Sequence, residues 1–160
     1  MSESAIESSL IDKIYNSTSR LGRLMTPVHL QYFAVRVYLF AVFYKSALTK
    51  FPIETNGMNQ FSEFTVPLLS PQVAAYVGTY VELIFPLLLL VGIFSRFAAF
   101  TMFFFNLVAF YAFSNMDDFV LWGWGSLDHT VYGVMFALLF FTGPGKLSLD
   151  HGIKKFVFKK

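Results

Sequence analysis

Cysteine is absent from this chain of 160 residues, and charged side chains are scarce. Without cysteine the chain cannot form a disulfide, a thiolate metal site or a cysteine redox relay of its own. Asp, Glu, Lys and Arg make up only 14% of the residues, whereas 56% are hydrophobic and 19% are aromatic. This composition is too apolar for an ordinary soluble domain, so we expect a membrane protein.

A large excess of charge of one sign is also missing. The formal net charge is +2, and no basic stripe interleaved with aromatic residues lies outside the apolar segments, which argues against a nucleic-acid partner. His29 and His151 are predicted on the opposite side of the membrane from His129, which disfavours haem held between helices. The sequence therefore predicts the lipid bilayer as a partner, no metal site and no intrinsic cofactor.

Four apolar segments of membrane-spanning length follow one another along the chain. A helix needs about 20 residues to cross a bilayer core about 30 Å thick. The segments are residues 29–49, 73–94, 96–114 and 121–141. They predict an all-α fold, an antiparallel four-helix transmembrane bundle within residues 28–142. Residues 1–27 are predicted to form an amphipathic segment on the membrane surface, and residues 143–160 a basic cytoplasmic tail.

Lys and Arg residues are concentrated on one side of this four-span arrangement. They precede the first segment, separate the second from the third, and occupy the tail: Lys13, Arg20, Arg23, Arg96, Lys146, Lys154, Lys155, Lys159 and Lys160. Because cytoplasmic loops of membrane proteins are enriched in Lys and Arg, both termini are predicted to lie in the cytoplasm.

Glu82 is the ionisable residue nearest the middle of the second segment. An intramembrane charge costs at least about 2.5–3.5 kcal/mol on insertion scales, so it normally faces the interior of a bundle and has a partner. Arg36 in the first segment lies at a matching depth, which predicts an Arg36–Glu82 ion pair. Two interpretations stay open: a structural link between two helices, or part of a pocket for a quinone-like lipidic ligand.

Small and polar residues share the helix face of Glu82. Gly78, Thr79 and Pro86 fall on that face by their three- and four-residue spacings,. Such residues mark close helix contacts in membranes, and Pro86 also removes the helical hydrogen bond to the carbonyl of Glu82. A tolerated kink and a ligand-binding role remain alternatives for this face.

The fourth segment carries Asp128 and His129, with Tyr132 on the side of the histidine. A histidine beside a carboxylate could transfer protons during quinone chemistry, although a packing histidine explains the same pattern. Lys45 of the first segment lies at a comparable depth, so it is expected either to contact Asp128 or to extend outward to the headgroups. Asn106 in the third segment is expected to link two helices.

The candidate catalytic residues are Glu82, Asp128 and His129. The candidate ligand-binding residues are Arg36, Lys45, Thr79, Glu82, Asn106 and Tyr132.

Three stretches of the sequence carry a family resemblance. They are GPGKLSLD at residues 143–150, KSALTKF at residues 45–51, and PLLSPQVAAYVGTYVELIFPLLLLVGIFSRFAAF at residues 67–100. With Arg36 in the first segment, they resemble the DoxX family of small four-span membrane proteins over residues 30–150. The sequence departs from the pattern at Ala47, where many relatives have glycine.

The resemblance implies a multi-pass protein of the bacterial inner membrane. The relatives include the quinone-linked membrane subunit of a thiosulfate-oxidising enzyme, and this form resembles members encoded beside enzymes that modify cysteine-containing, metal-handling peptides. One implied function is an accessory component of a membrane redox pathway that interacts with quinone and a partner oxidoreductase, without being a self-sufficient enzyme. The other is a non-enzymatic scaffold or small permease that supports maturation or export of a peptide or metal-related product, with peptide-modifying enzymes as partners.

Overall fold

The computed structural model describes residues 28–63, 66–114 and 124–157, and the regular structure of these residues is helical without a β-strand. In chain order the helices are α1 (Val28–Thr49), α2 (Met58–Ser62), α3 (Pro71–Val91), α4 (Ser95–Ser114), α5 (Trp124–Thr142) and α6 (Leu149–Val157). A π-helical turn, Ile53–Gly57, leads into α2. The predicted all-α class is confirmed, and α1, α3, α4 and α5 lie at the four predicted segments. The predicted surface segment at residues 1–27 lies outside the described residues.

Helix α3 has clear signals at both ends. The Ser70 hydroxyl accepts a hydrogen bond from the backbone N–H of Val73, and Pro71 occupies the first turn, where its missing N–H costs nothing,. At the other end Gly92 adopts a left-handed conformation, φ 79°, and its N–H donates to the carbonyl of Leu88,. The predicted polar face of α3 is buried, since Gly78, Thr79, Glu82 and Pro86 all lie inside.

The four long helices pack in a closed ring. Helix α3 lies between α1 and α4, and α5 packs on α4. Aromatic contacts close the ring between α5 and α1, because Phe43 packs on Phe136 with ring centroids 5.3 Å apart. The buried core between the helices contains large apolar side chains together with small ones: Leu39, Phe43, Leu89, Ala98, Ala99, Met102, Phe136 and Leu139. Alanine at these contacts lets α4 approach its neighbours closely.

The outer surface of the helices is strongly apolar. Phe97 is 61% exposed and Phe141 is 75% exposed, and most exposed residues of α3 and α4 are also apolar. By length and composition, α3 and α4 could each cross a membrane, and α5 contains a shorter apolar stretch, Ser126–Thr142. Continuous apolar surface of this kind is rare on soluble monomers, which supports a helical membrane protein.

The chain after α5 folds back onto the turn between α3 and α4. The Asp150 carboxylate accepts hydrogen bonds from the backbone N–H of Phe94, at 3.0 Å, and of Ser95, at 2.9 Å. The Asp150 N–H donates to the carbonyl of Gly92, at 2.8 Å. A carboxylate at the start of α4 is favourable because it satisfies free backbone donors near the positive end of the helix dipole. We call these contacts the Asp150 clasp.

We expect Asp150→Ala to lower the free energy of unfolding by about 1–2 kcal/mol, because it leaves two backbone donors at the start of α4 without an acceptor. Asp150→Asn keeps one acceptor oxygen and should lose less. Thermal unfolding of the detergent-purified proteins measures both changes. An Asp150→Ala midpoint equal to that of the unsubstituted protein would show that the clasp adds no stability.

Candidate functional site

A buried ion pair joins α3 to the residue that follows α1. Lys50 and Glu82 are both buried, and the Lys50 Nζ lies 2.5 Å from the Glu82 Oε2. The same ammonium group donates to the Ser46 hydroxyl oxygen, at 2.9 Å, and to the Ser46 carbonyl oxygen, at 3.1 Å. All three protons of the ammonium group therefore have acceptors. Complete hydrogen bonding of this kind is what a buried lysine requires.

The predicted ion pair between Arg36 and Glu82 is wrong. Arg36 is buried in the first half of α1, and its guanidinium donates to the carbonyl oxygens of Leu89, Leu90 and Leu147. The reason lies in side-chain direction, because helical side chains point toward the N-terminus of their own helix. Arg36 thus points away from Glu82, toward the end of α3. The depth of a residue along its helix does not by itself predict the direction of its side chain.

The same directional rule explains the partner that Glu82 does have. Lys50 follows the last residue of α1, and its side chain runs back along the helix to Ser46, four residues earlier. This path places the ammonium group inside the bundle beside Glu82. Lys50 is not among the predicted site residues because it follows the first apolar segment, which ends at residue 49. Its four-residue spacing from Ser46 is the sequence signal for such a path.

A cavity of about 430 Å³ lies between α3 and α4 beside this ion pair. We call it the α3–α4 cavity. Its walls are mainly apolar: Phe61, Val66, Leu69, Ala74, Val77, Gly78, Val81, Phe104, Phe105, Val108, Ala109, Ala112 and Phe113. Its polar lining residues are Ser46, Lys50, Gln60, Glu82, Thr101 and His129. Val77, Phe104 and Val108 are also exposed on the outer helix surface, so the cavity reaches from the buried ion pair to that surface.

Phe61 of α2 covers one wall of the cavity by packing on Gly78. A Cβ atom added to Gly78 would lie 2.7 Å from the ring of Phe61, which is too close for any real contact. Glycine at this position therefore lets the aromatic ring of the connecting segment rest directly on the α3 backbone. Phe61 was not among the predicted site residues because the connecting segment has no periodic pattern that indicates its packing.

His129 lines the cavity and is held by Asn106 of α4. The Asn106 Nδ2 donates to the backbone carbonyl of His129, at 2.8 Å, and the Asn106 Oδ1 lies 2.9 Å from the His129 Nδ1. The two residues thus link α4 to α5, in agreement with the linking role expected for Asn106. The rings of Phe110, Phe113 and Tyr132 surround the imidazole at centroid distances of 6.1–6.4 Å.

The structure brings Glu82 and His129 to one cavity and places the other candidates elsewhere. Thr79 is buried and donates to the carbonyl of Ala75, at 2.6 Å. Tyr132 packs against Tyr38 and Phe43. None of the candidates Arg36, Lys45, Thr79, Asp128 and Tyr132 is among the cavity-lining residues described above.

The alternative contact between Lys45 and Asp128 is not formed. Both residues are exposed, and among residues 28–63, 66–114 and 124–157 the one ion pair is Lys50–Glu82. The other expectation for Lys45, an outward direction, agrees with its exposure. An outward lysine near the end of a helix can reach the headgroup region while its methylene groups stay in the apolar layer.

We expect the single substitutions Lys50→Met and Glu82→Gln to lower the free energy of unfolding by about 3–5 kcal/mol each, because each leaves the other ion buried without a counter-charge. The double variant should lose much less than the sum of the two losses. Unfolding in mild detergent, analysed as a double-mutant cycle, measures this coupling.

Lys45→Met is the matched control, since Lys45 is an exposed lysine near the same end of α1. It should change stability by less than about 0.5 kcal/mol, as surface substitutions usually do. If the double variant lost as much free energy of unfolding as the two single variants together, the two side chains would not stabilise each other.

Comparison with known proteins agrees with this structure. The DoxX family model matches residues 32–115, which run from the second turn of α1 to the end of α4. An "Uncharacterized protein" of Haemophilus influenzae is 33% identical over 127 residues, covering 76% of this chain and 82% of the relative. No solved structure matches the chain. The chain belongs to the DoxX family of membrane proteins.

Proposed function

We propose that this protein binds the ring of a lipidic quinone in the α3–α4 cavity and acts as an accessory component of a membrane redox pathway. The observation that carries the proposal is the shape and chemistry of the cavity. It joins an apolar opening on the outer helix surface to buried charged and polar groups. This arrangement suits a ligand with a long apolar tail and a ring that carries polar oxygens.

The proposal requires a membrane around the four long helices. Their lengths are 22, 21, 20 and 19 residues, which correspond to about 28–33 Å at about 1.5 Å per residue,. These lengths match a bilayer core about 30 Å thick. We propose that all four helices span the bacterial inner membrane, with both termini in the cytoplasm. The Lys and Arg distribution supports this orientation.

Because the chain has no cysteine, single cysteines can report its orientation. Thr55→Cys in the turn after α1 should react with a membrane-impermeant maleimide in EDTA-treated cells. Lys155→Cys in α6 should react only after the inner membrane is opened. Both positions are exposed, so burial does not prevent labelling. The reverse pattern, or equal labelling of both positions in sealed cells, would contradict the proposed orientation.

The apolar walls account for the tail of the proposed ligand. Val77 of α3 and Phe104 and Val108 of α4 are exposed where the cavity meets the outer surface. A membrane lipid can therefore enter sideways between the two helices without passing through water. Burial of its tail and ring contributes about 25 cal/mol for each Å² of apolar surface removed from water.

The polar part of the cavity accounts for the ring. Glu82 and His129 both line the cavity and can exchange protons with a bound ligand,. Reduction of a quinone to its hydroquinone consumes two electrons and two protons. In the proposed role a partner oxidoreductase with its own redox cofactor exchanges the electrons, and this chain binds the ring and supplies groups for the protons. The partner is implied by the family resemblance described above.

We expect the protein in nanodiscs to bind decylubiquinone saturably. Ala109→Phe should weaken this binding at least about tenfold, or about 1.4 kcal/mol, because the added ring fills part of the cavity that Ala109 lines. Isothermal titration calorimetry measures the affinity, and mass spectrometry of an organic extract identifies any quinone that copurifies.

Ala41→Phe is the matched control, because Ala41 lies on the exposed face of α1 and does not line the cavity. It should leave the affinity unchanged. Equal binding by the two variants would place the ligand elsewhere. Solute transport into proteoliposomes that lack quinone, together with no quinone binding, would instead favour a permease.

A further inference from the structure

Asn106 holds His129 through two hydrogen bonds of opposite direction. Its amide nitrogen faces the backbone carbonyl of His129, at 2.8 Å, and its amide oxygen faces the His129 Nδ1, at 2.9 Å. A rotated amide would place oxygen against the carbonyl oxygen, so the observed orientation is the favourable one. Gly133 allows this close approach, because a Cβ atom there would lie 3.3 Å from the Asn106 Nδ2.

This geometry fixes the tautomer of His129. The amide oxygen of Asn106 can only accept a hydrogen bond, so the His129 Nδ1 must carry the proton. In the neutral imidazole the Nε2 atom then has a free lone pair and can only accept. Within the described ranges of the chain, no hydrogen bond to the Nε2 atom is formed. Because His129 lines the cavity, we infer that its Nε2 atom is the acceptor that a ligand there would meet.

Two of the side chains that could donate near this cavity, Lys50 and Asn106, are already occupied. Lys50 uses its three ammonium protons on Glu82 and Ser46. Asn106 donates to the carbonyl of His129. The Glu82 carboxylate is an acceptor with lone pairs beyond the one that Lys50 uses. Gln60 and Thr101 also line the cavity and can donate or accept.

We infer that Asn106 is a positioning residue that makes the α3–α4 cavity select a hydroxyl-bearing ring, the hydroquinone, over the corresponding quinone. The inference rests on the proposed function and specifies the ligand of the same site. A hydroquinone hydroxyl can donate a hydrogen bond to the His129 Nε2 atom. A quinone carbonyl has no proton to donate, so its oxygen would face the Nε2 lone pair without a hydrogen bond. Tighter binding of the reduced form also makes the bound quinone easier to reduce, by linkage between binding and reduction.

The first test needs no ligand and no substitution at the site. In the nitrogen-15 spectrum of histidine-labelled protein near neutral pH, the His129 Nδ1 should show the signature of a protonated ring nitrogen and the Nε2 that of an unprotonated one. The spectrum of His129→Gln identifies which signals belong to His129. In Asn106→Leu, which has no acceptor for the Nδ1 proton, the two tautomers should interconvert. A wild-type His129 protonated only on Nε2 overturns the inference.

The second test compares decylubiquinone with its hydroquinone on the protein in nanodiscs under argon. The hydroquinone should bind about tenfold more tightly, the ratio expected when only one of two ligands forms a hydrogen bond. Asn106→Leu should reduce this ratio toward one. Tyr80→Phe should keep it, because Tyr80 is exposed on α3 and does not line the cavity.

The outcomes separate this inference from the proposed function. Saturable binding of both forms with equal affinity overturns the hydroquinone preference and leaves quinone binding intact. A preference that persists unchanged in Asn106→Leu assigns it to other groups and removes the role of Asn106. Absence of binding by either form removes both proposals, even if the nitrogen-15 spectra show the expected tautomer.

Discussion

The buried Lys50–Glu82 pair is the interaction on which the cavity depends. Each ion loses several kcal/mol of hydration on burial, and the pair offsets this loss only because the ions are close and the ammonium group is fully hydrogen-bonded,. Lys50 and Ser46 tie the end of α1 to the middle of α3. The carboxylate therefore keeps a fixed place in the wall between α3 and α4. A polar group held in this way can orient a ligand without a conformational change.

The two ends of the helix ring differ in structure: polar contacts close one end, and the other contains the α3–α4 cavity. At the end near residues 92–95, Arg36 and Asp150 bind backbone carbonyls and N–H groups of three chain segments. These contacts satisfy groups that helix ends leave free, and they close that end. At the other end glycine and aromatic side chains surround an open cavity. The polar contacts that close one end are thus separate from the polar residues that line the cavity.

Much of the fold follows from length and periodicity, whereas the polar contacts do not. The long helices coincide with the apolar segments, and the buried face of α3 follows from the spacing of Gly78, Glu82 and Pro86. The partner of Glu82 could not be inferred from depth. Both side chains point toward the N-terminus of α1, which takes Arg36 away from Glu82 and brings Lys50 beside it,. Sequence reasoning selected His129 and Asn106 individually. The contact between them could not be predicted, because it depends on how α4 and α5 are aligned along their lengths.

The Asp150 clasp has a consequence for biosynthesis. Arg36 lies in the first long helix, but its partner carbonyl at Leu147 and the carboxylate of Asp150 are translated after α5. The contacts that close this end of the helix ring therefore cannot form until residue 150 has left the ribosome.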